Sequence, residues 1–150
     1  MENFPERFAI GIEVQPEDID MLGHVNNVVY LRWVQDAAVA HWNAIAPEED
    51  REKLLWVVRS HEISYRRPAF SGETLRAETW IGSASRYAFD RHTEIINAEN
   101  GKMLALARTV WCPLDRKTGR PGEVSPAVRA LFSTLPPEPS TEPLPTDGQR

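Results

Sequence analysis

Apolar and polar residues alternate at the start of the chain. Four apolar residues fall on one side of an extended segment: Phe8, Ile10, Ile12 and Val14. This period of two predicts a half-buried strand. Pro16 then ends the pattern, and residues 17–23 are predicted to form a connecting loop.

The spacing of apolar residues changes to that of a helix at about Val25 and continues until Pro47 stops it. Six residues share one face: Tyr30, Val34, Ala37, Ala38, His41 and Ile45. Asn26 or Asn27 is expected to cap the first amides of this helix. One pair of opposite charges has the spacing to interact across a turn: Arg32 and Asp36.

Strand patterns occupy most of the chain between residues 54 and 114, after an acidic surface stretch at 48–52. Four strands are predicted, at 54–65, 74–81, 87–96 and 103–114, with turn signals at 82–85 and 100–101. Asn100-Gly101 is a strong hairpin signal, since both residues tolerate positive φ. Ser125-Pro126 predicts the start of a short helix. Its apolar stripe consists of three residues: Val128, Leu131 and Phe132.

The order of strand, long helix and four strands predicts one α+β domain over residues 1–135, in which an antiparallel sheet packs against a central helix. Residues 136–150 are rich in proline and polar residues, and this composition predicts a disordered tail. One helix can cover only part of such a sheet. Pairing with a second copy of the chain is therefore expected.

Composition narrows the classes of function. The formal net charge is -5 and no basic block stands out, which argues against a nucleic-acid partner. The single cysteine, Cys112, excludes an intrachain disulfide framework and is expected to be buried. The sequence shows no secretory signal and no apolar run long enough to cross a bilayer, so a cytoplasmic location without membrane contact is expected.

Chemically active residue types are concentrated where the predicted loop meets the long helix. This junction holds two carboxylates, a histidine and two amides: Asp18, Asp20, His24, Asn26 and Asn27. A helix N-terminus favours an anionic group, and Gly23 would let a ligand approach the backbone closely. Each residue taken alone also fits a purely structural role as a cap or loop residue.

The segment from Asp20 to Tyr30, DMLGHVNNVVY, resembles the signature of the hot-dog thioesterase superfamily, in its 4-hydroxybenzoyl-CoA thioesterase-like branch. Bacterial acyl-CoA thioesterases and plant acyl-carrier-protein thioesterases carry a similar Asp, then His-Val-Asn-Asn, then Tyr. Residues 63–73 and 114–121 also resemble family segments, and the resemblance spans about residues 8–132. It implies the hot-dog fold, a sheet wrapped around the long helix, assembled as a homodimer or homotetramer with active sites between subunits.

The resemblance also implies roles for individual residues. Asp20 would act as nucleophile or as general base for water, His24 would orient water or the carbonyl group, and Asn26 would orient Asp20 or cap the helix. The oxygen of the thioester carbonyl would face backbone N–H groups near Gly23 to Asn26 or those of another subunit. The residues expected to contact substrate are Gly23, Val25, Asn27, Tyr30, Tyr65, Arg66 and Arg67. Tyr30 has packing in the core as its alternative, and Arg66, Arg67 and Arg86 are candidates for phosphate contacts, with solvated surface charge as theirs.

Two departures from the family pattern stand out. Leu22 occupies the position of an asparagine in the plant enzymes, so their three-residue arrangement is incomplete here. A polar residue of the family falls near Pro68 and Ala69, where this chain has no suitable side chain. Three nearby residues are candidates to replace it: Ser64, Ser71 and Glu73.

The implied activity is hydrolysis of an acyl-CoA or acyl-carrier-protein thioester, without a cofactor beyond the coenzyme A of the substrate. No metal is expected, because the four histidines lack metal-ligand spacing and Asp18 and Asp20 have no further carboxylate cluster. A hot-dog hydratase or dehydratase is the alternative within the same fold. A protein that binds acyl thioesters without catalysis is the alternative from another class.

Overall fold

The computed structural model describes residues 7–133, so the tail predicted at 136–150 lies outside the described residues. The five strands are β1 (Phe8–Glu13), β2 (Leu54–Tyr65), β3 (Thr74–Ala84), β4 (Phe89–Asn97) and β5 (Met103–Asp115). The three helices are α1 (Asn27–Ile45), α2 (Glu48–Lys53) and α3 (Pro126–Phe132). No helix in this part of the chain is both long enough and apolar enough to cross a membrane.

All five strands form one antiparallel sheet in the order β1-β3-β4-β5-β2. The β4–β5 hairpin turns at Asn100-Gly101, where Gly101 has φ +73° and its N–H donates to the Asn97 carbonyl over 2.9 Å. Helix α1 contacts β1, β3 and β4. The predicted α+β arrangement of a sheet against one long helix is therefore confirmed, and β1 and β2 are its two edges.

Helix α1 begins where its cap predicts. The Asn26 side chain accepts the Val28 N–H over 3.0 Å, so Asn26 and not Asn27 is the cap. The predicted apolar face is buried except for Ile45, which is 39% exposed. That part of the prediction was wrong because Ile45 lies in the last turn, where the larger side chain of Trp42 packs on Trp56 and Phe132 and closes the core instead.

Three other features of the secondary structure differ from the prediction. The acidic stretch is helical: α2 carries acidic residues in its first turn and basic residues in its last, which complements the helix dipole. Strand β3 runs through Gly82 to Ala84 with a register shift after Ile81. The turn therefore lies at 85–88, where the Ser85 N–H and Oγ both donate to the Ala88 carbonyl, and β4 begins only at Phe89.

The core consists of two clusters that follow the two halves of α1. One lies near the start of the helix and includes Val25, Tyr30 and Trp33, and the other lies near its end and is rich in aromatic side chains. Helix α3 closes the second cluster with Val128 and Phe132, whereas Leu131, predicted to join them, is 52% exposed. Among the described residues Cys112 is buried, as predicted.

His41 lies within the core beside another polar side chain. Its Nδ1 accepts a hydrogen bond from Arg91 Nη1 over 2.9 Å, so the imidazole is neutral in this arrangement. Burial and the neighbouring guanidinium lower the pKa of His41 from 6.5 to about 4. A depressed histidine pKa gives stability that is complete above the unfolded value of 6.5 and is lost as the pH falls towards 4.

We therefore expect the free energy of unfolding to fall by about 2 kcal/mol between pH 7.5 and pH 5 because His41 takes up a proton in the unfolded state. Urea denaturation at the two pH values measures this loss. In His41→Gln, whose side-chain carbonyl can still accept from Arg91, the loss should be smaller by that amount. Equal losses in parent and variant would contradict the assignment to His41.

Candidate active site

The loop before α1 is held as a small hairpin. Ile19 and Val25 form an antiparallel bridge, in which the Asp20 N–H donates to the His24 carbonyl over 3.0 Å and the Asn26 N–H to the Asp18 carbonyl over 2.9 Å. Gly23 lies at its tip with φ +85°, a conformation that residues with a side chain rarely adopt. The hairpin places Asp20 and His24 opposite each other, directly before the helix.

Asp18 anchors this hairpin from inside the protein. It is 2% exposed, its Oδ2 accepts the Gln15 N–H over 2.9 Å, and its Oδ1 accepts from Arg32 Nη2 over 3.0 Å. Arg32 therefore pairs with Asp18. The prediction that it pairs with Asp36, which was made from their spacing within the helix, was wrong. A buried carboxylate offers stronger hydrogen bonding than an exposed residue one turn away, where solvent screens the pair.

Asp18→Ala should lower the free energy of unfolding by about 1–3 kcal/mol, because the Gln15 N–H loses its acceptor and Arg32 loses its partner. Chemical denaturation measures the change. Glu17→Ala serves as the matched control: this acid belongs to the same turn but is exposed, and the expected change is within about 0.5 kcal/mol. Equal effects of the two substitutions would show that Asp18 is not an anchor.

Asp20 is half-buried at the first position of the tip. Its Oδ1 accepts the Leu22 N–H over 2.8 Å, and the Gly23 N–H donates to its carbonyl over 3.0 Å. These bonds fix the carboxylate against its own turn. Met21 and Leu22, which follow it, are 99% and 73% exposed, so the acid lies beside an apolar surface.

His24 faces Asp20 across the hairpin and is half-buried. Its Nδ1 lies 3.3 Å from the Val25 carbonyl oxygen. A carbonyl can only accept, so this contact requires the proton on Nδ1 and leaves Nε2 of the neutral ring as an acceptor. The structure records no side-chain hydrogen bond between His24 and Asp20 among the described residues.

Asn26 acts as a helix cap, the role that the sequence favoured, and its Oδ1 is committed to Val28. The backbone amides also differ from expectation. The sequence suggested N–H donors from Gly23 to Asn26, but those of Gly23, Val25 and Asn26 all donate within the protein. Three N–H groups at this junction have no acceptor recorded within residues 7–133, those of Met21, His24 and Asn27.

The end of β2 lies against the start of α1. Tyr65 Oη donates to the Asn27 carbonyl over 3.0 Å, and the Tyr65 ring packs edge-on against Tyr30. The N–H groups of Arg66 and Arg67 both donate to the Leu104 carbonyl, over 2.7 and 3.1 Å, and both residues are exposed. The structure thus brings Tyr65 and this pair of arginines to the same end of the molecule as Asp20.

Tyr30 and Val25 are too deeply buried to contact a substrate directly in a single chain. Val25 is fully buried and its N–H donates to the Ala69 carbonyl over 2.9 Å. Tyr30 is 2% exposed and its Oη accepts the Ala69 N–H over 3.1 Å. Both tie the bend after β2 to the helix, which matches the alternative of core packing for Tyr30.

The remaining candidates have structural partners or lie elsewhere. Glu73 accepts the Phe70 N–H and the Asn97 amide, so its carboxylate closes a turn. Arg86 pairs with Glu123 over 3.4 Å and lies over the Tyr87 ring. Within residues 7–133 no cluster of three or more histidine, cysteine or acidic side chains could hold a metal ion.

The sequence profile of the thioesterase-like superfamily matches residues 14–132. Two chloroplastic plant proteins are similar. An acyl-(acyl-carrier-protein) hydrolase of Cuphea viscosissima is 29% identical over 83 residues, 55% of this chain and 20% of that protein. A palmitoyl-acyl carrier protein thioesterase of Gossypium hirsutum is 22% identical over 129 residues, 85% of this chain and 31% of that protein. The chain thus spans less than a third of the length of these relatives.

Solved structures are similar over most of their length. A Thermus thermophilus thioesterase, complexed with coenzyme A and Zn, is 26% identical with a TM-score of 0.72, and the match covers 83% of this chain and 90% of that one. A predicted thioesterase of Bacillus stearothermophilus is 21% identical with a TM-score of 0.74, covering 85% and 94%. These neighbours confirm the expected hot-dog fold.

Proposed function

Because the chain belongs to the thioesterase-like superfamily, we propose that it hydrolyses the thioester bond of an acyl-CoA or acyl-carrier-protein substrate to a free acid and a thiol. The observation that carries this proposal is the half-buried Asp20 carboxylate, fixed in a tight turn directly before the N-terminus of α1. The similar proteins include a palmitoyl-acyl carrier protein thioesterase and a thioesterase complexed with coenzyme A.

In the proposed reaction Asp20 either attacks the thioester carbonyl carbon and displaces the thiolate, forming a mixed anhydride that water then hydrolyses to the free acid, or removes a proton from the attacking water and passes it to the departing thiolate. The developing oxyanion would accept from the N–H groups of His24 or Asn27, which have no recorded acceptor within residues 7–133. Each such donor is typically worth about 3 kcal/mol towards the transition state. His24 would position water through Nε2.

The phosphates of coenzyme A, or of the related arm of a carrier protein, would lie near Arg66 and Arg67. Their guanidinium groups follow β2 at the point where Tyr65 touches the start of α1, and guanidinium matches phosphate oxygens in geometry and charge. The proposed hydrolysis needs no metal or organic cofactor beyond the carrier itself, since a carboxylate supplies the nucleophile or base.

We further propose that the site is completed by a second copy of the chain, in a dimer or tetramer. Three apolar side chains near Asp20 are strongly exposed: Met21, Leu22 and Val28. The edge strand β2 is 12 residues long and is paired on one side only within the described chain. Exposed apolar groups and long free edges are typical of surfaces that pair with another subunit.

A cytoplasmic location is proposed because the sole cysteine is buried and free.

The test is a thiol-release assay of the protein with a panel of acyl-CoA esters of different chain length and with acyl-carrier-protein esters, alongside equilibrium binding of the same compounds. The proposal predicts multiple turnovers with at least one class. Saturable binding without turnover would favour a non-catalytic acyl-thioester binder, and addition of water to an unsaturated acyl chain without thiol release would favour a hydratase.

A further inference from the structure

A cavity of about 210 Å³ lies at the far end of α1 from Asp20. Within one chain Trp42 lies 15 positions after Asn27, which places the cavity about 22 Å along the helix from the candidate active site. Aromatic side chains dominate its lining: Trp42, Trp56, Phe89 and Trp111. An apolar cavity of about 150 Å³ suffices for benzene, so this one can hold a single ring or a short chain.

Arg91 of β4 also lines this cavity and is only 3% exposed. Its Nη1 donates to His41 Nδ1 and to Thr79 Oγ1, each over 2.9 Å, whereas its Nε has no acceptor among the described residues. Both partners are neutral, and no acidic side chain of residues 7–133 forms an ion pair with it.

A buried cation without an anion is unusual, because desolvating the charge costs several kcal/mol that only a close counter-charge recovers. Burial lowers the pKa of Arg91 to about 9, which still leaves the guanidinium protonated at neutral pH. The charge is thus present in the core, and residues 7–133 supply no acidic partner for it.

Two further side-chain donors in the lining have no hydrogen-bond acceptor within residues 7–133. The indole Nε1 atoms of Trp56 and Trp111 are buried and have no acceptor within the described chain. These two and Arg91 Nε are the buried side-chain polar atoms without a partner in residues 7–133, and all three belong to residues that line the same cavity. Buried polar groups are normally hydrogen-bonded, so three such donors around one space favour a ligand that brings an acceptor.

The outer margin of the cavity is positive as well. Arg51 and Arg116 lie there, held by backbone carbonyls: Arg51 Nε donates to the Ala46 carbonyl over 3.1 Å and Arg116 Nε to that of Glu52 over 2.7 Å. Carbonyls do not neutralise these charges. A cleft with charges of one sign and low-dielectric walls concentrates ligands of the opposite sign.

We propose that this cavity is a binding site for a small organic carboxylate with a flat or short apolar body, whose carboxylate accepts from Arg91 and whose body packs among the tryptophans. An inorganic anion would leave the aromatic walls unfilled, and a neutral hydrocarbon would leave the three donors unpaired. Within one chain the cavity is separate from the candidate active site, because none of its lining residues belongs to the Asp20 hairpin.

The test uses benzoate and its neutral isostere benzamide as probes, with isothermal titration calorimetry on the full chain in its native assembly. Benzoate should bind with one site per chain, and benzamide at least tenfold more weakly, since a charge-assisted hydrogen bond is worth more than a neutral one. No saturable binding of benzoate, or equal affinity for the two probes, would overturn the proposal.

Two variants locate the site. Arg91→Met should abolish the preference for benzoate. Because that residue is buried and its loss could unfold the chain, Val39→Trp provides a second variant: Val39 lies at the margin and is 53% exposed, so a larger side chain there narrows the opening without touching the core. It should weaken benzoate binding at least tenfold, whereas the matched control Gln35→Trp, at an exposed position one turn earlier on α1 that does not line the cavity, should not. Benzoate binding unchanged by Val39→Trp would place the ligand elsewhere and overturn the assignment.

Discussion

Asp20→Asn should lower kcat for thioester hydrolysis by about 10²–10⁴-fold, the range that loss of a catalytic base produces. The substitution removes the negative charge and keeps the shape. An asparagine Oδ1 can still accept the Leu22 N–H that Asp20 accepts over 2.8 Å, so the turn before α1 stays intact. Steady-state thiol release measures the change, with the thioester on which the parent is most active.

The free energy of unfolding separates a catalytic role of Asp20 from a structural one. In Asp20→Asn it should stay within about 0.5 kcal/mol of the parent, as expected for a conservative change that preserves the hydrogen bond. Asp20→Ala is the contrasting variant, since it loses both the charge and the turn bond. If Asp20→Asn kept full activity and only Asp20→Ala lost it, the carboxylate would serve the turn and not the reaction.

Trp42→Ala should lower the free energy of unfolding by about 3–5 kcal/mol, the cost typical of truncating a large buried aromatic residue. Trp42 is 8% exposed and its ring contacts Trp56 edge-on at 5.1 Å and stacks on Phe132 at 5.4 Å, centroid to centroid. It thereby joins α1, β2 and α3 in one cluster. Urea denaturation at neutral pH measures the loss.

The matched control for Trp42→Ala is Val39→Ala, three residues earlier on the same helix. Val39 is 53% exposed, so its truncation creates no buried cavity. The free energy of unfolding should change by no more than about 0.5 kcal/mol. A loss below about 1 kcal/mol in Trp42→Ala would mean that the aromatic cluster does not hold the end of α1 to the sheet.

Most of the fold could be predicted because local signals agreed with one another. Asn26 capped α1, Pro47 ended it, and Asn100-Gly101 formed the hairpin that their φ preferences favour. One wrong prediction concerned competition between a local and a distant partner. Arg32 had a partner at the right spacing in its own helix, but Asp18, 14 residues earlier, offered a buried carboxylate, and spacing within one element cannot reveal that.

The sequence contained a signal for the buried Arg91 of the cavity, and the sequence analysis missed it. Phe89, Arg91, Thr93 and Ile95 alternate along β4, so a period of two places Arg91 on the same face as two buried apolar residues. A charged residue in phase with a core face is a sign of a buried cation. The three donors without an acceptor in residues 7–133, in contrast, depend on how β2, β4 and β5 meet, which the sequence does not show.

The candidate site was predictable as a location and less so in its details. The density of polar residues around Asp20 and His24 marked the junction, and the structure places both at one hairpin. The choice of backbone donors was not predictable, because the bonds from Val25 to Ala69 and from Asn26 to Asp18 join segments that are separate in sequence. These bonds remove from the reaction two amides that the sequence had suggested.

The central claim is that a carboxylate held beside the start of a buried helix cleaves a thioester with water. Its most direct test quantifies the thiol and the free acid released together from one acyl thioester, by the parent and by Asp20→Asn at equal concentration. The account predicts equal molar amounts of the two products from the parent and a loss of both by at least about 10²-fold in the variant. Undiminished release of both products by Asp20→Asn would contradict it.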